Sequence, residues 1–296
     1  MIKIQIEGII PPVVTLFNKD QEIDHDLMTS FIEHLISKGI SSIMILGSTS
    51  EFAYLTYKEK CELIKKIGHF LKEKYKKIHY MVGISATNTK ESIALGKIAQ
   101  DNGADTVIAT LPTYFPLEKD QIIRYYTELS ENLRVPLIAY NFPLTTGVDL
   151  TPKILLEMAE SEIIIGVKET GIPLEIMKEL IESAPSSFSV ILGTDLMLKS
   201  SLDLGIKAAI LSSANFVPEH LVQFFQAYRE KNEDKKIELW KYLSKRMSIL
   251  TYGLNLLPSI VKESIIASGY PITPYIRSPL PSVSEKLKKK IKKLFS

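Results

Sequence analysis

The sequence predicts an α/β protein, a (β/α)8 TIM barrel with a C-terminal helical extension, on three observations. Eight short apolar runs alternate with longer amphipathic segments. Most of these runs are apolar throughout, as expected for strands of a parallel sheet that is buried on both faces. The first run is not followed by the glycine fingerprint of dinucleotide binding. A doubly wound sheet also usually has fewer strands, so the barrel is favoured over that alternative.

Each predicted strand is bounded on at least one side by Gly, Pro, Ser, Thr or Asn. The predicted strands are Gly8–Phe17, Ser42–Leu46, His79–Val82, Thr106–Thr110, Pro136–Tyr140, Ile163–Val167, Ser189–Leu192 and Ala208–Ser212. Helical spacing fills the intervals between them. In the first interval, Leu27, Phe31, His34 and Leu35 share one helix face after a predicted N-cap at Asp24.

The strand pattern stops after about residue 217. We therefore expect a barrel core over residues 1–216, followed over residues 217–296 by the last barrel helix and a helical extension of the same structural unit. The helices predicted there are Leu221–Tyr228, Lys236–Ser248, Leu256–Ala267 and Glu285–Phe295. In the last segment an apolar stripe lies among six lysines. A docked terminal helix with a solvated basic face is favoured over a membrane-surface or partner-binding helix.

Composition limits the classes of function. Hydrophobic residues make up 45% of the 296 residues, which is enough for a large core and excludes disorder. The 36 basic and 34 acidic side chains nearly balance, so neither nucleic acid nor an anionic membrane is expected as a partner. The lone cysteine, Cys61, cannot form an internal disulfide, and its charged surroundings indicate a helix residue rather than a nucleophile.

The N-terminal segment Met1–Glu7 alternates polar and apolar residues, unlike a signal peptide. No segment approaches the roughly 20 consecutive apolar residues of a membrane span. A soluble, cytoplasmic protein is therefore expected.

A barrel has its functional face at the C-terminal ends of its strands, and this rule draws attention to Lys168. It closes the apolar run Ile163–Val167. Burial of an ammonium is costly and lowers its pKa, which makes the amine a nucleophile towards carbonyl carbons. From these residues alone, a structural lysine that reaches the barrel mouth or pairs with Glu169 stays open as an alternative.

Two other predicted strands end in polar residues that suit a carbonyl substrate. The second is followed by Gly47–Glu51, where hydroxyls and backbone N–H groups could hold a carboxylate, although Ser and Thr are also common in turns. The fifth ends in Tyr140–Pro143, and a tyrosine at a barrel mouth can relay protons. An aromatic cap on the core is the alternative for Tyr140.

Together these segments resemble the dihydrodipicolinate synthase / N-acetylneuraminate lyase superfamily of pyruvate-dependent Schiff-base aldolases. Gly47-Ser48-Thr49-x-Glu51 is similar to the family's Gly-[Ser/Thr]-Thr-Gly-Glu. Tyr140-Asn141-x-Pro143 with Gly147 matches its Tyr-Asn-x-Pro…Gly, and Gly166–Thr170 looks like its Schiff-base segment. The resemblance runs from about Ile9 to Asn215, with a helical tail as the family has.

The resemblance implies a role for each matching residue. Lys168 would form an iminium with the keto carbon of pyruvate or of a longer 2-keto acid, Ser48 and Thr49 would hold the substrate carboxylate, and Tyr140 would shuttle the proton of the C4 hydroxyl. Tyr114 occupies the place of a tyrosine that completes the relay, usually across a subunit interface, which implies a homo-oligomer, either a tetramer or a dimer. The cycle requires no metal and no organic cofactor, and the five histidines show no ligand spacing.

Departures from the family pattern bear on the second substrate. Ser50 replaces a usual glycine, so the turn could differ in backbone geometry. Thr145 stands where dihydrodipicolinate synthases have an arginine that engages the aldehyde's carboxylate, and its absence favours a neutral, hydroxylated aldehyde. Four residues at or beyond the ends of strands six to eight are candidates for binding the polyol tail, or else ordinary turn and cap residues: Thr170, Gly193, Asp195 and Ser212.

The sequence therefore predicts a carbon–carbon lyase of carbohydrate metabolism that cleaves or makes a 2-keto-3-deoxy sugar acid. The first candidate substrate is 2-keto-3-deoxygluconate, and a sialic-acid-type substrate is the second. Dihydrodipicolinate synthase is the alternative enzyme, and a pyruvate-binding barrel that serves as a sensor is the alternative outside catalysis. The presence of Lys168 as a nucleophile together with Tyr140 as a proton relay argues against the sensor, which would not need both.

Overall fold

The computed structural model describes residues 6–296, in which eight parallel strands form one sheet rolled into a nearly closed barrel. The strands are β1 (Gly8–Ile10), β2 (Ser42–Ile45), β3 (His79–Gly83), β4 (Thr106–Thr110), β5 (Leu137–Asn141), β6 (Gly166–Glu169), β7 (Ser189–Leu192) and β8 (Ala208–Ile210). Between β1 and β2 the barrel closes through a parallel bridge of Pro12 with Met44. The predicted barrel is confirmed. Residues 1–5, most of the N-terminal segment with alternating polarity, lie outside the described range.

Helices connect successive strands and follow the last one. They are α1 (His25–Ser37), α2 (Tyr57–Lys74), α3 (Thr89–Asp101), α4 (Lys119–Asn132), α5 (Pro143–Thr146), α6 (Pro152–Glu160), α7 (Leu174–Ser183), α8 (Leu198–Asp203), α9 (Pro218–Arg229), α10 (Glu233–Met247), α11 (Leu257–Ala267) and α12 (Glu285–Phe295). The N-cap predicted at Asp24 is confirmed, since its carboxylate accepts a hydrogen bond from Leu27 N at 2.9 Å. Cys61 is buried within α2, which confirms a helix residue.

The predicted bounds of three strands are wrong by two residues or more. β1 ends at Ile10 rather than Phe17, because Pro11 and Pro12 have no N–H to offer a ladder. β6 starts at Gly166 rather than Ile163, whose N–H still bonds to Met158 O of α6 at 2.9 Å, and it continues to Glu169. β8 ends at Ile210, and Ser212 begins a 3₁₀ turn instead. Lys168 therefore lies inside β6 rather than just beyond a strand.

The core has two layers because strand side chains alternate between the two faces of the sheet. Seven of the eight strands contribute buried side chains to a cluster inside the barrel, among them Met44, Ile108 and Ile138. A larger cluster fills the space between the strands and the helices. Tyr140 belongs to the inner cluster, and Lys168 pairs with it in the register of β5 and β6. Both side chains therefore point into the barrel near its C-terminal end.

The chain beyond β8 is helical, as predicted. α9 contacts β1, α10 contacts α9, and α11 contacts the turn after β2, so a division at residue 216 stays a prediction. In α12, Leu287 and Ile291 are buried against α11, while most of the six lysines are exposed. The docked terminal helix with a basic outer face is therefore confirmed. Within residues 6–296, no helix has the length and apolar character needed to cross a membrane.

Candidate active site

The centre of the site is a buried lysine beside a buried tyrosine. Lys168 and Tyr140 are each only 4% exposed, and the lysine Nζ lies 3.9 Å from the centroid of the tyrosine ring. Glu169 points to the other face of β6, where its Oε2 accepts a hydrogen bond from Asn141 Nδ2 at 3.0 Å. The alternative in which Lys168 pairs with Glu169 is therefore wrong. The Lys168 amine is thus held close to the Tyr140 phenol, and both side chains are almost fully buried.

The surroundings of the Tyr140 hydroxyl lower its pKa. It lies 3.5 Å from Ser48 Oγ, with either group able to donate. Burial would raise the pKa of Tyr140, but the nearby Lys168 ammonium and the hydrogen bond with Ser48 outweigh it, so the pKa lies below the ordinary value of 10.0. A tyrosine with a lowered pKa, next to an amine, is suited to moving a proton at a substrate hydroxyl.

Ser48 begins a short 3₁₀ turn, Ser48–Ser50, directly beyond β2. Thr49 Oγ1 lies 2.8 Å from Ser212 Oγ, which ties this turn to the one after β8. The Ser50 hydroxyl donates to Val13 O at 2.6 Å and accepts from Gly47 N at 3.1 Å. The left-handed residue of this turn is Glu51 (φ 59), not Ser50, so a serine in the usual glycine position fits without backbone strain.

Eight of the ten predicted site residues surround one cavity of about 200 Å3 at the C-terminal end of the barrel. They are Ser48, Thr49, Tyr140, Lys168, Thr170, Gly193, Asp195 and Ser212. Sequence reasoning missed the rest of the wall: Phe142, Thr194, Leu196, Ile210, Leu250, Thr251, Leu254 and Leu257. The last four belong to the helical extension, and no local pattern indicates that this part of the chain folds back over the strand ends.

Gly193 occupies a part of the cavity wall that has no room for a side chain. A Cβ at this position would lie 2.0 Å from Thr170 Oγ1, 2.8 Å from Glu169 O and 2.9 Å from Lys168 Cε. Its N–H is bonded to Glu169 O at 2.7 Å. Gly193 thus keeps β7 close to β6 and leaves the space that the Lys168 side chain occupies.

Two polar side chains of the cavity wall, Asp195 and Thr170, differ in their hydrogen bonding. Asp195 binds the turn after β8, accepting from Ser213 N at 2.8 Å, from the Ser213 hydroxyl and from Ser212 N at 3.3 Å. Burial raises the pKa of Asp195, and the bonds from Ser213 partly oppose it. Thr170 Oγ1, in contrast, is buried and forms no hydrogen bond of good geometry within residues 6–296, although it lies close enough to the Tyr140 hydroxyl to help lower the pKa of that group. It is therefore placed to bind a substrate hydroxyl.

The remaining two predicted residues lie away from Lys168. Thr145 is exposed beside an adjoining cavity of about 730 Å3, and its hydroxyl donates to Phe142 O at 3.0 Å. Tyr114 is 89% exposed, lines neither cavity in the described chain, and has a left-handed φ of 104° that is rare for an aromatic residue. It packs edge-to-face on Phe115.

Behind the site lies a polar cluster of the buried Asn141 and Glu169 with the exposed Asp149, which the sequence analysis did not predict. Asn141 Nδ2 donates to Glu169 Oε2 at 3.0 Å and to Asp149 Oδ1 at 2.8 Å. Burial raises the pKa of Glu169 to about 8; the Asn141 hydrogen bond opposes this, and the charge of Asp149 adds to it. Within the described residues, no group of three or more His, Cys, Asp or Glu side chains is placed to hold a metal ion.

Comparisons with known proteins agree with this geometry. The profile of the dihydrodipicolinate synthetase family matches residues 5–296. Two Escherichia coli proteins are each 31% identical over 97% of this chain and 95% of their own: the putative 2-dehydro-3-deoxy-D-gluconate aldolase YagE and the probable 2-dehydro-3-deoxy-D-pentonate aldolase YjhH. A 4-hydroxy-tetrahydrodipicolinate synthase from Methanospirillum hungatei is 30% identical over 98% of both chains. The crystal structure of YagE in complex with pyruvate superposes with a TM-score of 0.92, covering 97% of both chains at 29% identity.

Proposed function

This chain belongs to the dihydrodipicolinate synthetase family, and we propose that it is a pyruvate-dependent Schiff-base aldolase that reversibly cleaves a 2-keto-3-deoxy sugar acid. One observation carries the proposal: a buried lysine amine, 3.9 Å from the ring of a tyrosine, at the base of a cavity lined by small hydroxyl side chains. The products are pyruvate and a hydroxyaldehyde.

The chemistry follows from the positions of Lys168 and Tyr140. Lys168 passes a proton from its ammonium to the Tyr140 phenolate, and the amine then adds to the C2 keto carbon. The same proton returns from Tyr140 to the departing hydroxyl, so that loss of water gives an iminium. That cation withdraws the electron pair of the C3–C4 bond as Tyr140 accepts the proton of the C4 hydroxyl, which releases the aldehyde and leaves an enamine. Protonation at C3 and hydrolysis of the iminium then release pyruvate and free Lys168.

The hydroxyls of Ser48 and Thr49, with the backbone N–H groups of their turn, bind the substrate carboxylate. Ser48 also contacts the Tyr140 hydroxyl, so the residue that binds the carboxylate belongs to the same hydrogen-bonded chain as the proton relay. This arrangement fixes the keto carbon with respect to both catalytic groups.

The aldehyde part of the substrate is neutral and hydroxylated. Lys168 is the one cationic side chain that lines the smaller cavity within residues 6–296, and in the intermediate its positive charge is the iminium bonded to C2 of the substrate. A phosphate or carboxylate on the aldehyde would find no other cationic side chain among the lining residues of this cavity, whereas the buried Thr170 hydroxyl can bind one sugar hydroxyl. 2-Keto-3-deoxygluconate is therefore the first substrate to test, as the names of YagE and YjhH also suggest.

Tyr114 completes the relay from a neighbouring subunit. Tyr114 is exposed and lines neither cavity within residues 6–296, which supports a role across a subunit interface, so a homodimer or homotetramer is part of the proposal. The proposal also places the enzyme in the cytoplasm and in carbohydrate metabolism, with neither metal nor organic cofactor in the cycle.

The test traps the intermediate. After incubation with pyruvate and borohydride, mass spectrometry should show one pyruvate-derived adduct on Lys168 and none in Lys168→Ala. Absence of the adduct, or its survival in Lys168→Ala, would refute the mechanism.

The second candidate is the synthase reaction with aspartate semialdehyde, favoured by the family profile and the Methanospirillum relative. We expect kcat/KM for cleavage of 2-keto-3-deoxygluconate to exceed that for condensation with the semialdehyde. The reverse order would overturn the substrate assignment.

A further inference from the structure

A second lysine is buried close to the proposed active site. The Lys262 side chain, on α11, has 0% exposure, and its Nζ donates to Glu51 Oε1 and to Tyr275 O, both at 2.7 Å. The ammonium also lies 4.6 Å from the centroid of the Phe17 ring. The Glu51 side chain is equally buried, and its second oxygen accepts the backbone N–H of Arg277 at 2.8 Å. Every charged atom of this pair has a partner.

The pair joins two walls of the cavity. Glu51 directly follows the turn Ser48–Ser50, and its N–H donates to Ser48 O at 3.1 Å. Lys262 is on the helix that begins at Leu257, which lines the cavity. The two side chains are 211 positions apart in sequence, so this contact fixes the helical extension directly against the turn after β2.

Stability alone does not account for such a pair. Removing two charges from water is costly, and well-packed apolar replacements of buried ion pairs are often as stable as the pair itself. A fully bonded pair instead favours one arrangement, because a displaced turn or helix would leave a charge buried without its partner. In this protein the arrangement so fixed includes the Ser48 and Thr49 donors.

We propose that Glu51 and Lys262 are positioning residues that hold the Ser48–Ser50 turn against α11 in the geometry that binds the substrate carboxylate. The inference rests on the proposed function, since the turn needs precise placement only if it binds pyruvate. Neither residue touches the reacting atoms.

The test compares pyruvate affinity in variants that keep Lys168. In Glu51→Gln/Lys262→Met both charges are removed together, while the glutamine can still accept from Arg277 N. We expect the pyruvate concentration for half-maximal borohydride-trapped adduct to rise at least about tenfold, the scale of one weakened hydrogen bond to a carboxylate. The adduct should still form fully at saturating pyruvate, because the amine is intact.

Glu59→Gln is the matched control. Glu59 pairs with the Arg277 guanidinium at 2.7 Å in the same network but lines neither cavity. Glu59 is the third residue of α2, where its side chain forms a capping box with Thr56. Glutamine can also occupy this position of a capping box, so the substitution keeps the start of the helix. This variant removes an ion pair without touching the turn, so half-saturation should stay at the wild-type value.

Two failures are distinguishable. A wild-type protein that forms no adduct would refute the proposed function and this inference with it. A wild-type protein that forms the adduct, beside a folded double variant with unchanged half-saturation, would overturn the positioning role alone. If the double variant does not fold, Lys262→Gln, which keeps a shorter donor for Glu51, should raise half-saturation at least about threefold, and an unchanged value would overturn the role equally.

Discussion

Glu169 should make the protein less stable as the pH rises from about 5 to 8. The folded-state pKa of its buried carboxyl is about 8, against an ordinary value of 4.5. Between these values the folded protein keeps the proton and the unfolded chain has lost it, so folding takes up a proton. The free energy of unfolding therefore falls as the pH rises through this window. The contribution of Glu169 to stability is fully present below the window.

The size of the effect follows from the two pKa values. At 1.36 kcal/mol per pKa unit, complete deprotonation costs at most about 5 kcal/mol of unfolding free energy, of which about 3 kcal/mol is lost between pH 5 and 8. Glu169→Gln replaces the protonated carboxyl with a group of the same shape that still accepts from Asn141. The variant should match the wild type near pH 5 and exceed it by about 3 kcal/mol at pH 8.

Urea unfolding at several pH values between 5 and 8 measures this difference directly. Glu160→Gln, at an exposed position at the end of α6, serves as the control and should follow the wild-type curve. Parallel stability curves for the wild type and Glu169→Gln would show that this carboxyl does not hold a proton in the folded state, and the reasoning would be wrong.

Three further changes test other parts of the structure. Tyr140→Phe should keep the borohydride-trapped adduct at Lys168 but lose at least about 10²-fold in turnover, the scale of one proton-transfer group; normal turnover would exclude it from the relay. Gly193→Ala places a Cβ 2.0 Å from Thr170 Oγ1 and 2.9 Å from Lys168 Cε, so adduct formation should slow at least about tenfold and unfolding free energy should fall by about 1–3 kcal/mol. Thr170→Ala in that background should restore part of the stability, and no recovery would contradict the steric cause. Ser284→Ala removes the side-chain N-cap of α12 and should cost about 1 kcal/mol in chemical denaturation, without effect on turnover.

The sequence predicted the barrel well because each strand is a local apolar run with clear limits. The sequence predicted the ends of a strand less accurately where they depend on pairing with a part of the chain that is distant in sequence. β1 stops where prolines interrupt pairing, and β6 begins only once the chain has left α6. These events depend on hydrogen bonds between elements, which a linear pattern does not record.

The same distinction applies to the site. Lys168, Tyr140 and Ser48 each end or follow an apolar run, so the barrel prediction places all three at the C-terminal ends of strands. The structure places them around one cavity. Their roles stay predictions. Lys262 could not be found this way, because its partner Glu51 lies 211 positions earlier and a lysine on a helix is normally exposed.

The apolar roof of the cavity has a consequence for how this enzyme could acquire new substrates. Lys168 and Tyr140 belong to barrel strands and the turn Ser48–Ser50 follows β2, whereas Leu250, Leu254 and Leu257 come from the helical extension. The proposed catalytic groups and these apolar side chains thus lie in separate stretches of the chain, although Thr170, the proposed contact for a substrate hydroxyl, belongs to the barrel. Substitutions confined to residues 248–257 would therefore change the shape of the cavity around the aldehyde without altering the proposed catalytic residues. Both natural divergence and laboratory selection could use this separation to obtain new substrates.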